Sequence, residues 1–361
     1  MLTLALLTTL AAAQSLASFD AVTQSATTAR EQGDLPRAIE LYRQAVEINP
    51  KWQDGWWFLG SLQYGTNAYA PARDALTHYI DLAGTPGPAI ALRGLCEFET
   101  GEYTQSLQDI ERGLALGAAN RPRNEQILRY HEAMLLTHEG KFEDALRSYA
   151  FLAQSPTNPE VLLGAGLAGL RTPVFPKDAE ANQQDLYMAA GNAALRFMAG
   201  GTQNAQQAFQ ELFQRFPTAA NAHYLYGYLL FATDPDEGVA EFKRELEIAP
   251  SSGAASAMLA WAFLLQNDPA RGLPYAQKSA TEQPTLPLAQ LVLGRALVET
   301  GNVPDGLEHL EKALQMEPTN LEVHLALAKA YSKSGRNEEA RHQRLLCLEM
   351  ARNEATDVAR P

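Results

Sequence analysis

GLEHLEKALQMEP, residues 306–318, decides the fold, because its design recurs along the chain. AIELYRQAVEINP (38–50), GVAEFKRELEIAP (238–250) and GLPYAQKSATEQP (272–284) likewise open on a small residue, carry a larger one four positions on and close on proline twelve on. The closing prolines Pro217, Pro250, Pro284 and Pro318 are spaced 33, 34 and 34 residues apart. Gly33 and Gly101 stand 68 apart, two such periods, and Gly301 and Gly335 stand 34 apart. Self-similarity at a fixed period marks a repeat array. Each period holds two apolar patterns of helical spacing, parted by a Gly, Asn or Asp turn, and proline ends the second. The repeating unit is therefore a helical hairpin.

The residues inside the hairpins are specific. In first helices they are Trp56, Leu59 and Gly60, then Leu293 and Gly294, then Leu327, Ala328 and Tyr331. In second helices they are Ala38, Tyr42, Ala45 and Pro50, and Gly306, Leu310, Ala313 and Pro318. This pattern resembles the tetratricopeptide repeat. The resemblance implies an all-α fold, a right-handed α-solenoid of stacked antiparallel hairpins (a superhelix), with the first helices lining a concave wall. Small residues let the two helices approach closely, large ones fill the gap to the next repeat, and proline stops the second helix.

Nine repeats are expected, at 19–52, 53–86, 87–120, 126–159, 186–219, 220–252, 253–286, 287–320 and 321–354. Arg93, Gly113 and Glu132 fit the third and fourth poorly, standing where apolar or Ala-like residues belong. Residues 160–185 do not fit the period. They read as an apolar helix, VLLGAGLAGLR (161–171), a stiff loop with Pro173 and Pro176, and a polar helix start at Ala179 to Gln184. The organisation is thus four repeats over 19–159, an interruption, five repeats over 186–354 and a tail at 355–361.

A chain of 361 residues with 46% hydrophobic residues can bury a large core, which excludes general disorder. Against 42 acidic residues stand only 29 Lys and Arg, a net charge of -13, and this argues against a phosphate-neutralising surface and nucleic acid as a partner. Met1 to Ala13 is uncharged and apolar apart from three Thr, too short to span a bilayer, and ends in an A-x-A site at Ala11-Ala12-Ala13. It reads as a signal peptide, so the expected location is periplasmic or secreted, with no later stretch apolar enough to cross a membrane. No Cys follows it to take a lipid. Cys96 and Cys347 form no metal or disulfide motif and read as buried small hydrophobes.

Apparent enzyme motifs fail their context. Gly164 to Gly169 is a literal G-x-G-x-x-G, but no strand of useful length precedes it and a Pro-containing loop follows. His131-Glu132 lacks the second His of H-E-x-x-H, since residue 135 is Leu, and His138 is about two helical turns away. His223 and His324 fall at the repeat slot of Trp56. No catalytic, cofactor or metal site is expected.

What remains is a stripe on the first helices, at offsets 1, 4, 8 and 11 of each repeat. It carries Trp57, Tyr64, Phe98, Tyr130, Met134, Tyr187, Phe197, Tyr224, Tyr228, Phe231 and Trp261, and turns polar at both ends. Aromatic anchors in a groove would bind an extended or helical peptide; a tightly wound coil would instead bury them. The Lys and Asn slots with which some tetratricopeptide proteins clamp a C-terminal carboxylate hold Trp57, Ser61, Ala91 and Leu95, so that mode is not expected. The expected function is a non-enzymatic scaffold binding a protein or peptide in the cell envelope. The alternative is an accessory subunit of an envelope enzyme or secretion complex whose chemistry lies on another chain.

Overall fold

The computed structural model describes residues 18–119, 121–153, 158–200 and 202–358. Nineteen α-helices and no strands are present among the described residues. The leader at 1–13 lies outside them, and the last helix runs into the tail, as far as Val358. The chain divides into two compact units, one ending at Gln184 and one starting at Asp185.

In the first unit the hairpins are α1 (18–31) with α2 (Leu35–Ile48), α3 (Gln53–Gly65) with α4 (Tyr69–Ala83), α5 (Gly87–Thr100) with α6 (Tyr103–Ala115), and α7 (Pro122–His138) with α8 (Phe142–Ala150). A single helix, α9 (Pro159–Gly169), follows. In the second unit they are α10 (Gln184–Met198) with α11 (Thr202–Arg215), α12 (Ala222–Leu230) with α13 (Pro235–Ile248), and α14 (Gly253–Leu265) with α15 (Pro269–Glu282). Two more complete it, α16 (Pro287–Glu299) with α17 (Val303–Met316) and α18 (Leu321–Lys333) with α19 (Asn337–Val358).

Several hairpins close where a side chain is missing. A Cβ on Gly294 of α16 would stand 2.6 Å from Leu310 Cγ and 2.8 Å from the Gly306 carbonyl of α17. A Cβ on Gly60 of α3 would stand 2.8 Å from Leu76 Cγ of α4. The helices therefore touch backbone to side chain, and the large residues beside the contact, Tyr42, Leu76, Phe242 and Leu310, are fully buried. The turns between paired helices need a left-handed residue, supplied by Gly33, Gly101, Gly140, Gly301 and Gly335 and, in the same place, by Asn67 and Asn267.

Successive hairpins are joined by a second recurring contact. Trp56 Nε1 donates to the Pro50 carbonyl at 2.8 Å, and Gln290 Nε2 donates to that of Pro284 at 2.8 Å. His324 Nε2 lies 2.9 Å from the Pro318 carbonyl, which can only accept, so the histidine donates. Three unlike side chains in one slot hold the carbonyl of the proline that ends the preceding helix.

The poorly fitting third and fourth repeats are held by polar pairs across their hairpins. Arg93 of α5 binds Asp109 of α6 through two bonds of 2.6 and 3.0 Å. Glu132 of α7 is buried and accepts from Ser148 of α8 at 2.7 Å and from Arg129 at 2.9 Å. Gly113 gives room for Ala91, whose Cβ would be 2.6 Å from an added one. Two boundaries differ from expectation. The first helix of the fourth repeat starts at Pro122, a turn before residue 126, because Pro is pre-set for a first helical turn. The polar helix expected from Ala179 is two short 3-10 turns, Pro176–Asp178 and Ala181–Gln183, and α10 begins at Gln184.

Gly294→Leu should lower the urea midpoint of unfolding by an amount corresponding to about 1–3 kcal/mol, the usual cost of overpacking. Unchanged stability would show that the hairpin does not rest on this contact.

Candidate functional site

In the first unit the first helices of the second to fourth repeats enclose an apolar cleft of about 380 Å³. Trp57 and Tyr64 of α3 form one wall, Ala91, Leu92 and Leu95 of α5 the floor, and Ile127 and Leu128 of α7 the other wall. Asn124 and Arg121 stand at the rim, and Arg121 is exposed and forms no ion pair among the described residues. Ile127, 38% exposed, separates this cleft from a second hollow of about 300 Å³ lined by Tyr130, Leu152, Asn158, Glu160 and Val161. Burial pushes the Tyr64 hydroxyl up from its ordinary range, with Cys96, Tyr69 and Glu99 adding to the shift. The Tyr130 hydroxyl is raised by burial and then by Glu160. Both stay phenols, offering a hydrogen bond and an apolar ring.

Other stripe residues have different surroundings. Phe98 meets an aromatic cluster with Tyr103, His131 and Phe175. Phe175 comes from the loop after α9, is only 4% exposed, and stacks on His138 at 4.4 Å with an angle of 8°. Met134, Tyr187 and Tyr224 are buried, which corrects the expectation that they line a groove. Tyr224 and Phe231 pack on the fully buried Phe242 of their own hairpin, and Tyr228 packs on the same core cluster as Met258 and Leu259. The face of α12 is spent on its own hairpin and on the next. Phe197 is half-buried on α10. Trp261 is half-buried under the Arg295 guanidinium at 4.8 Å, and Arg295 pairs with Glu322 at 3.2 Å. The apolar cleft therefore brings together Trp57 and Tyr64, with Tyr130 in the adjoining hollow. Sequence reasoning did not single out Leu92, Ile127, Arg121 or Phe175; the available signal for Phe175 was an aromatic bracketed by two prolines in an otherwise polar loop.

The apparent enzyme motifs are structural. Gly164 lies so close to Tyr149 that a Cβ would come within 2.1 Å of its hydroxyl, so the glycine-rich run serves helix packing. His131 is held by the Ile127 carbonyl at 2.8 Å and its pKa is lowered by burial. Cys96 and Cys347 are both buried and unpaired by disulfide. No cluster of potential metal ligands occurs among the described residues.

Residues 23–85 and 304–343 each match a sequence profile of the tetratricopeptide repeat. No curated protein matches the sequence significantly. Among solved structures, MamA residues 41-end from Desulfovibrio magneticus RS-1 is 18% identical, covering 46% of this chain and 96% of its own at a TM-score of 0.40. MamA from AMB-1 is 21% identical, with 46% and 98% covered and a TM-score of 0.38. YrrB, described as a tetratricopeptide repeat protein with an unusual peptide-binding site, is 17% identical, with 51% and 95% covered and a TM-score of 0.39.

Behind the cleft floor, Glu97 of α5 is 6% exposed, and its Oε2 has no hydrogen-bond partner among the described residues. Burial, and then Asp109, raise its pKa to about 7, against a smaller opposing pull from Arg93. The fold thus favours the neutral acid. The penalty is absent below the ordinary value of 4.5, grows as pH rises, and is complete above about 7. Glu97→Gln should therefore leave stability unchanged at pH 4 and raise it at pH 8, by on the order of 1–3 kcal/mol. Urea titrations at the two pH values check this; equal effects at both would refute it.

Proposed function

Because the chain is a tetratricopeptide repeat protein, we propose that it is a non-enzymatic scaffold that seats an extended segment of a partner protein in the cleft between α3, α5 and α7. Repeats of this family form protein–protein interaction surfaces. The observation that carries the proposal is the cleft itself: a rigid hollow walled by Trp57, Tyr64, Leu92, Leu95 and Ile127, with polar groups only at its rim. Helical walls already fixed by hairpin packing lose little entropy on binding, and Trp and Tyr give large contact areas with few rotatable bonds. The net charge of -13 argues for a protein rather than a nucleic acid as occupant.

We further place the protein in the cell envelope, periplasmic or secreted, on the apolar run and A-x-A site of residues 1–13. Among the described residues no helix is long and apolar enough to cross a membrane.

The test is photo-cross-linking from a benzophenone side chain at position 92, with partners identified by mass spectrometry. Ile127→Asp should reduce capture at least tenfold at a stability cost of about 1–2 kcal/mol, as expected of a residue 38% exposed, with the helical signal retained. Undiminished capture by that variant would remove the cleft as the binding site. A captured envelope enzyme would make the chain an accessory subunit of it. Mass analysis of the mature chain locates the cleavage, expected before Gln14; retention of residues 1–13 would refute export by this route.

A further inference from the structure

The third repeat already holds an aromatic ligand, one supplied by the chain itself. Phe98, at the end of α5, and Tyr103, at the start of α6, lie 5.9 Å apart with their rings inclined at 58°. Phe175 is seated against both, 5.6 Å from Phe98 and 4.8 Å from Tyr103. His138 covers its other side. The segment that delivers it, Thr172-Pro173-Val174-Phe175-Pro176-Lys177, has no helical turn before Pro176. Pro173 sets an extended approach. Arg171, paired with Glu143 of α8, anchors its near end.

One period earlier the same pair recurs without an occupant from the loop. Tyr64 and Tyr69 stand 34 residues before Phe98 and Tyr103, on either side of the left-handed turn residue Asn67 as the other pair flanks Gly101. Their rings are 5.7 Å apart at 66°, close to the geometry that receives Phe175. Counted from the turn glycines Gly101 and Gly140, Leu92 holds the station that His131 holds in the next repeat. Tyr64 and Leu92 line the apolar cleft, with Tyr69 beside it against the Tyr64 ring, and its volume of about 380 Å³ exceeds the roughly 150 Å³ that suffices to hold a benzene ring.

We propose that the Tyr64–Tyr69 pair receives the aromatic side chain of an extended, proline-bracketed segment of a partner protein, in the way that the Phe98–Tyr103 pair receives Phe175. This rests on the cleft being the binding site and specifies what it takes. The repeat makes two like aromatic pairs; the loop after α9 fills one in cis, and the other, where Glu99 holds the station of His138, is left for a partner. Offset and edge-on ring contacts, together with an extended backbone held straight by proline, provide the recognition.

The probe is the capped hexapeptide Thr-Pro-Val-Phe-Pro-Lys, the sequence of residues 172–177, titrated calorimetrically into the full chain. One equivalent should bind, and the same peptide with alanine in place of phenylalanine should bind at least tenfold more weakly. The Phe175→Ala chain, its second berth vacated, should take two equivalents. A benzophenone-bearing version of the peptide should cross-link within α3, α4 or α5 around Tyr64, Tyr69 and Leu92. Equal affinity for the phenylalanine and alanine peptides, or cross-links elsewhere, would overturn the proposal, and the peptide comparison holds even if a chain variant misfolds. If unrelated peptides cross-link beside Ile127 and this one does not, the aromatic berth is refuted and the cleft stands. If no peptide reaches the cleft, both readings fall.

Discussion

The close approach of paired helices, made in several hairpins where a missing side chain lets one helix rest on its partner, is the constraint from which the remaining structure follows. Gly294 and Gly306 face one another so that a Cβ on either would meet the other's carbonyl at 2.8 Å. That contact fixes the register of the pair, and register decides which face of the first helix turns toward the hairpin core and which is left for the next repeat. Tyr42, Leu76, Phe242 and Leu310 are then buried completely because the pair leaves them no other place. The cost of a larger side chain is steric and local, yet it is repeated wherever the period brings a small residue to the same station.

Most of the fold was legible because its signals are local. Proline after a second helix and a left-handed residue in the turn each act within a few positions, so Pro250, Pro284 and Pro318 mark the period directly. Where reading by offset failed, the failure was physical. The fourth repeat begins with an extra turn of helix from Pro122, which brings Asn124 to the cleft in a place that strict periodicity does not assign, while Ile127, at a stripe offset, is aliphatic and so falls outside a search for aromatic anchors. Aromatic residues at equivalent offsets, such as Tyr64 and Phe231, differ in what surrounds them: an apolar hollow at one, the ring of Phe242 from its own hairpin at the other. Phe175 was out of reach for a further reason. Its partners Phe98, Tyr103 and His138 are 37 or more residues away, and no periodicity links a loop to the helices it lies on.

Polar residues within the hairpins add specificity more than stability. Arg93 with Asp109, and Glu132 with Ser148, each join the two helices of one hairpin. Replacing such a pair by apolar residues often costs nothing, whereas removing one partner leaves a buried polar group unmet. Most of the ion pairs on the exposed faces, such as Arg43 with Glu40 and Lys312 with Glu308, lie three or four residues apart on one helix and contribute only tenths of a kcal/mol at about this exposure. The net charge of -13 is therefore a property of the solvated faces and leaves the cleft almost untouched.

The proline carbonyl held by Trp56, Gln290 and His324 shows how the repeat is encoded. An indole, an amide and an imidazole share no shape, but each can extend one N–H to the same acceptor six residues back. The joint between hairpins is thus written in hydrogen-bond donors rather than in residue names. A chain specified in this way can drift in its letters while the joint is kept, and each repeat is free to choose the donor that also suits its own neighbours. At Trp56 that choice adds a ring stacked on His78, while at Gln290 the amide also meets His309.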